Sequence, residues 1–530
     1  MPLDIMRSVG LVAALAAPYV ECPPAAAADP RPASASPPAP GPRDRGGRIT
    51  IGPNIQVSRD RNESPHTEVI LAADPGNSDR LLAGSMLQYE PEKGFFGLRC
   101  IAYVSRDGGK TWQVSLEPAR GKPPLDTQLA DPDVVFGLDG AAYFGHMVRR
   151  KLPAGEGATM MLHRSADGGL TWEASPFVDA ETRIDRPFLA FDRTGGPYRG
   201  QLYYKCNIRP EALGGTGGTQ YALGLFYSTD GGRSFSPPTP QRVRYAGMDN
   251  VLPGTSNSAV LSDGTVILLY FLQAPAFGAY ADLYNKDPGY KSGKIAKYGI
   301  HFERTLDGGR SIAPHPRVTP QPGQQVQQAS VYGAVAPWFR PQNTVDTGFP
   351  WIAVDPGSSR FKDRLYVIWD EERDGANRIM LSTSSDKGLS WTAPSKVSDL
   401  PEPREGRKSG RVYMPNVAVN RDGIVGVTWY DTRHVGAKRG WDVHFTTSMD
   451  GGVSWLPSVR VSEVSTIIDE QEHQRSARGG IPEGVGLSGV GDTTGLAADA
   501  RGAFHLLWVD NRTGRRQVWA AKATVAGSEK

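Results

Sequence analysis

Six copies of one short pattern constrain this chain more than any other feature: Ser/Thr-x-Asp-x-Gly-x-Ser/Thr followed by Trp, Phe or Ile. They occupy Ser105–Trp112, Ser165–Trp172, Ser228–Phe235, Thr305–Ile312, Ser384–Trp391 and Ser448–Trp455. The aspartates stand at 107, 167, 230, 307, 386 and 450, so the steps between copies are 60, 63, 77, 79 and 64 residues. Self-similarity at a near-constant period signals a repeat architecture. Asp followed by Gly-Gly supplies the positive-φ positions of a tight turn, and its carboxylate can accept the turn's own amides. Alternating apolar residues flank the copies, as in Cys100 to Val104 and Trp455 to Val459, so each copy is expected at a β-hairpin corner.

This pattern resembles the Asp-box, or BNR repeat, of the sialidase-like β-propellers, and the resemblance covers about residues 48–526. It implies one closed domain, although 530 residues alone would suggest several. The fifth repeat reads as four strands: Trp351 to Val354, Leu365 to Trp369, Arg378 to Ser382 and Trp391 to Val397. After the sixth unit three strands remain, at Gly495 to Ala498, Phe504 to Trp508 and Gln517 to Ala521. The missing fourth is expected at the other end, because Pro53 to Ser58 repeats the Pro-x-(Ile/Val)-x-Val-Ser pattern of Pro457 to Ser462. The expected fold is therefore an all-β, seven-bladed propeller of four-stranded blades, its last blade closed by the N-terminal strand. The sialidase family's own six blades are the alternative.

The balance of 59 basic to 56 acidic side chains, net +3, gives no reason to expect nucleic acid or an anionic membrane as partner. Arg7 followed by the apolar run Val9 to Ala17 and the small residues Ala25 to Ala28 read as an export signal over 1–28. The run is too short to span a membrane. Glu21 is the wrong residue before a lipidated Cys22, so a soluble secreted or periplasmic protein is expected. Residues 29–47 form a Pro/Ala/Ser linker, and 48–526 form the propeller, expected as a monomer. Cys100 and Cys206 are expected as separate buried thiols.

Residues repeated in every blade serve what every blade needs, so the boxes are structural. The same reasoning applies to Trp-x-Asp/Glu-x-Arg, which ends three second strands at Trp369 to Arg373, Trp429 to Arg433 and Trp508 to Arg512. There the carboxylate and guanidinium share one strand face. Those arginines, Arg373, Arg433 and Arg512, would otherwise recruit an acidic ligand. Symmetry-breaking residues at the segments entering each first strand are the better candidates: Glu68, Asp131 and Asp133, Asp185 and Arg186, Arg411 and Tyr413, and Asp492. Long insertions at Tyr89 to Phe96, Gln273 to Tyr298 and Ser465 to Gly489 are expected on the same rim.

The resemblance implies an exo-α-sialidase-type glycoside hydrolase releasing a terminal, acidic sugar, with no cofactor or metal. It implies a Tyr nucleophile, an acidic partner and arginines for the substrate carboxylate. No local motif places these, and the family's Arg-Ile-Pro signature is missing from Asn54 to Glu68. By location alone, Tyr413, Glu68, Asp131 and Asp133 are the catalytic candidates. Arg186, Arg411, Asp185, Asp492 and the three motif arginines are the substrate-binding ones. The alternative is a non-catalytic propeller binding glycan or protein at its central mouth.

Overall fold

The computed structural model describes residues 48–88, 97–118, 127–152, 155–174, 184–208, 222–242, 252–274, 297–313, 334–339, 349–373, 376–402, 410–436, 440–468 and 491–526. They form seven antiparallel sheets. Blade 1 is His66–Ala73, Leu81–Gln88, Leu98–Ser105 and Gln113–Leu116. The inner strands of blades 2 to 7 are Thr127–Phe136, Ile184–Phe191, Leu252–Val260, Trp351–Val354, Val412–Val419 and Gly495–Ala498. Among the described residues no helix is long and apolar enough to cross a membrane.

The seventh blade takes its outer strand from the start of the propeller. Arg48–Ile51 pairs antiparallel with Gln517–Ala526, setting Ile49 opposite Val525 and Ile51 opposite Ala523. Ile55–Gln56 continues along Ala520 and Trp519, and Val57 N donates to Val518 O at 2.8 Å. Asn54 Nδ2 also donates to Val461 O at 2.9 Å, which ties this strand to blade 6. Closure leaves no unpaired edge at the seam.

Packing runs around the ring without a gap. One buried cluster includes Ile70, Phe144, Phe188, Phe271, Trp351 and Val417, one residue from each of blades 1 to 6. A second joins Phe445 of blade 6 to Leu496 and Trp508 of blade 7 and Val69 and Leu71 of blade 1. Cys100 and Cys206 are buried and not joined in a disulfide.

Every Asp box sits between third and fourth strands. In the first, Asp107 Oδ1 accepts Lys110 N at 3.0 Å and Thr111 N at 2.9 Å, while Oδ2 accepts Thr111 Oγ1 at 2.6 Å. Ser105 Oγ closes the motif by accepting Gly109 N at 2.9 Å. Gly108 and Gly109 hold φ of 71° and 87°, which explains the glycine pair. In the fifth box Lys387 takes the first of these positions at φ 61°, a conformation that costs a non-glycine residue about 1 kcal/mol or more. At Asp230 burial acts to raise the carboxyl, but the hydrogen bonds outweigh it and hold it near 2. The boxes face away from the side where the first strands begin, which leaves that side to carry the site.

Candidate functional site at the channel mouth

Five of the seven inner strands share one irregularity near their starts. The pairing register breaks between Thr67 and Val69, between Ala130 and Asp133, between Asp185 and Phe188, between Thr255 and Ser258, and between Tyr413 and Asn416. At four of these bulges a non-glycine residue adopts left-handed backbone: Glu68 (φ 49°), Asp131 (φ 53°), Arg186 (φ 51°) and Met414 (φ 52°). Each such residue costs about 1–2 kcal/mol and persists only where its surroundings hold it. A bulge re-aims a side chain that regular alternation would bury between blades. Here it gathers a glutamate, an aspartate and an arginine from blades 1, 2 and 3.

Arg186 is the hub of this cluster. Its Nη1 donates to Glu68 Oε2 at 3.2 Å and lies 3.7 Å from Asp131 Oδ1. Its Nη2 donates to Glu68 Oε1 at 3.4 Å and to Asp492 Oδ2. The Arg186 backbone N donates to Asp131 Oδ2 at 3.2 Å, and its carbonyl accepts Thr255 Oγ1 at 2.6 Å. The guanidinium lies over the Phe349 ring, 4.8 Å from its centroid. Gly491, at φ 85°, packs directly on Glu68: a Cβ there would come within 2.7 Å of Glu68 N. The side chains of Arg186, Asp131 and Asp492 keep 16, 10 and 17% exposure, so the cluster reaches solvent, while Glu68 keeps only 5%.

Burial pushes the Glu68 carboxyl up to about 8. The Arg186 charge opposes that rise, whereas the charges of Asp131 and Asp492 and a hydrogen bond with Asp131 add to it. Burial raises Asp492 too, with Arg186 opposing and Asp131 reinforcing. Glu68 therefore keeps its proton at neutral pH beside other carboxyl groups, the condition that separates an acid from its partner in glycoside chemistry. Among the described residues, no group of three or more His, Cys, Asp or Glu side chains is disposed to hold a metal ion.

Other expected site residues lie elsewhere. Asp133 is buried between blades 2 and 3, where it accepts Leu189 N at 2.6 Å and Val134 N at 2.9 Å. Burial lifts it to about 7 despite those amides. Asn416 makes the matching tie in blade 6, donating to Thr494 O at 2.6 Å. Asn257 does the same in blade 4, bonding both N and O of Ile352. Asp133 is thus an inter-blade tie. Tyr413, expected as an exposed nucleophile, is fully buried with its ring 5.7 Å from that of Tyr430 in the apolar core. Its neighbour Met414 occupies the bulge position instead. One residue of register on a strand exchanges the two faces, so the expectation was off by that one step.

Two of the three motif arginines are engaged by their own strands. Arg433 Nη2 lies 2.6 Å from Asp431 and 2.8 Å from Asp399. Arg512 Nη2 lies 2.6 Å from Asp510, and its guanidinium stacks on Trp519 at 4.0 Å. The motif tryptophans complete the unit: Trp429 and Trp508 each donate Nε1 to the same carboxylate at 3.0 Å, and Trp369 does so to Glu371 at 3.1 Å. Arg411 sits just before the inner strand of blade 6, its backbone tied to Thr432. The side chains of Arg373 and Asp185 lie outside the described residues, as do 89–96, 275–296 and 469–490 of the three insertions. The bulges were not anticipated. The available signal was Asp131-Pro132, Arg186-Pro187 and Met414-Pro415, a proline recurring at one place in three blades.

The BNR/Asp-box repeat family model matches residues 103–114, the first box with its flanks. No curated protein matches the sequence. Among solved structures, the α-L-arabinofuranosidase of Fusarium graminearum is similar at 12% identity, with 89% of this chain and 97% of that one covered and a TM-score of 0.39. The leech intramolecular trans-sialidase is similar at 12% identity, with 90% and 70% covered and a TM-score of 0.39. A sialidase of Streptococcus pneumoniae is similar at 10%, with 89% and 70% covered and a TM-score of 0.39. With six Asp-box corners set in seven blades, the chain is a seven-bladed β-propeller that carries the BNR/Asp-box repeat.

Proposed function

We propose that this propeller is a glycoside hydrolase whose chemistry lies at the channel mouth, carried by Glu68, Asp131 and Asp492 around Arg186. The observation that carries the reading is a buried glutamic acid on a strained bulge, gathered with two aspartates around one arginine, where burial pushes its carboxyl up to about 8. In this role Glu68 donates its proton to the glycosidic oxygen as the bond to the anomeric carbon breaks. Asp492, sharing Arg186 Nη2 with Glu68, stabilises the positive charge that develops on the sugar. Arg186 positions both acids. Export, a monomeric state and a soluble location are part of the same proposal, since 1–28 and 29–47 lie outside the described residues.

The exo-α-sialidase form of this reading needs a tyrosine nucleophile, and the buried Tyr413 does not supply an exposed one. The alternative is a propeller that binds glycan or protein without chemistry. One observation favours it: Arg433 and Arg512 are both held by carboxylates of their own strands. A chromogenic exo-glycoside screen of the wild type and Glu68→Gln separates the two. Turnover that falls by about 100-fold or more in the variant supports hydrolysis. Binding without turnover supports the alternative.

A further inference from the structure

We infer that the sugar taken at this mouth is uncharged, not the acidic one that the family resemblance implies; this rests on the channel mouth being the glycan site. The argument is one of charge. An anionic sugar needs guanidinium groups with N–H donors to spare, typically in bidentate contact with its carboxylate. Arg186 is the guanidinium at the centre of the mouth, and both of its Nη atoms are already directed at protein carboxylates. Its flat face is covered as well, by Phe349. Arg433 and Arg512 are likewise committed, to Asp431 and Asp510.

Among the described residues, the rest of this cluster is acidic. Glu68, Asp131 and Asp492 bring three carboxyl groups against the single charge of Arg186. Even with Glu68 protonated, two further carboxyl groups stand against the one guanidinium. A sugar carboxylate placed within about 5 Å of Asp131 or Asp492 would meet like charge in a partly buried setting, at a penalty on the order of 100-fold in affinity. An uncharged sugar meets no such repulsion, and its hydroxyl groups can donate to the carboxylate lone pairs that Arg186 leaves open. The charge pattern that deters an acid therefore recognises a neutral polyol ring.

The test pairs binding with turnover on the full chain. Isothermal titration and product analysis are run with neutral oligosaccharides (arabinan, xylan and galactan fragments) and with sialyllactose, at pH 6.5, on wild type, Glu68→Gln and Arg411→Ala. The expected result is binding or cleavage of a neutral glycan, with sialyllactose at least about 100-fold weaker. Cleavage of sialyllactose, lost in Arg411→Ala, would overturn the inference while leaving the hydrolase reading intact. Binding of a neutral glycan without cleavage would support the inference and overturn the hydrolase reading. Absence of binding and cleavage with both classes would overturn both.

Discussion

Replacing Glu68 with glutamine should change how stability depends on pH, and the size of the change follows from the site. The Glu68 carboxyl rises from 4.5 in a model peptide to about 8 in the folded chain because burial disfavours its charged form. A raised folded-state value means that the native state binds more protons than the unfolded one between these limits. Its contribution is complete below about pH 4.5 and is lost as pH climbs through about 8. Between pH 6.5 and 8.5 a group titrating near 8 forfeits about 2 kcal/mol, at about 1.4 kcal/mol per unit. Glutamine mimics the protonated acid and should lack this loss. The two proteins should then differ by a constant amount only below about pH 4.5, and between pH 6.5 and 8.5 the variant should gain about 2 kcal/mol on the wild type. This window lies above the range in which the buried histidines titrate. Below it, burial depresses His66, His146, His163 and His444 to between about 3 and 4, and these groups add stability as pH rises towards 6.5. They and Asp133 are common to both proteins and cancel in the difference. Urea midpoints at the two pH values measure it. Parallel curves for wild type and Glu68→Gln would refute the burial of a protonated acid at this position.

Four further outcomes are expected. Asp167→Ala removes an acceptor of Leu170 N and of Thr171 N and Oγ1, and should cost about 1–3 kcal/mol by urea denaturation without altering glycan affinity. Lys387→Gly should add about 0.5–1 kcal/mol by relieving the left-handed strain in the fifth box, offset in part by losing its exposed pair with Asp263; a fall in melting temperature would contradict it. Gly491→Ala should displace Glu68 and flatten the pH dependence described above, and an unchanged profile would show that the contact is not what holds the acid. Deleting residues 1–58 should expose the edge of Gln517–Ala526 and cause aggregation, whereas deleting 1–47 should leave the melting temperature unchanged.

The architecture was legible because the blade is repeated. Six boxes fixed the corners, and the three-strand tail together with the Pro53 to Ser58 pattern fixed both the blade number and the closure. The site was legible only to the level of the segment. Glu68, Asp131, Arg186 and Asp492 were picked out as asymmetric residues near the starts of first strands, and they do meet. What pattern reading misses is a bulge, because alternation assumes a regular pleat and a single inserted residue exchanges faces. That step is why Met414 rather than Tyr413 takes the bulge position, and why Asp133 ties two blades while Asp131, two residues earlier, meets Arg186. The motif arginines went the other way: their repetition had already favoured local pairing, and Arg433 and Arg512 pair locally.

The most direct measurement for the channel-mouth account is a crystal structure of Glu68→Gln soaked with whichever glycan the binding screen selects. The account predicts sugar density at the ends of the inner strands, with hydroxyl or glycosidic oxygens within hydrogen-bonding distance of residue 68, Asp131 and Asp492. Density on the Asp-box face, or on the rim with the Arg186 cluster untouched, would contradict it.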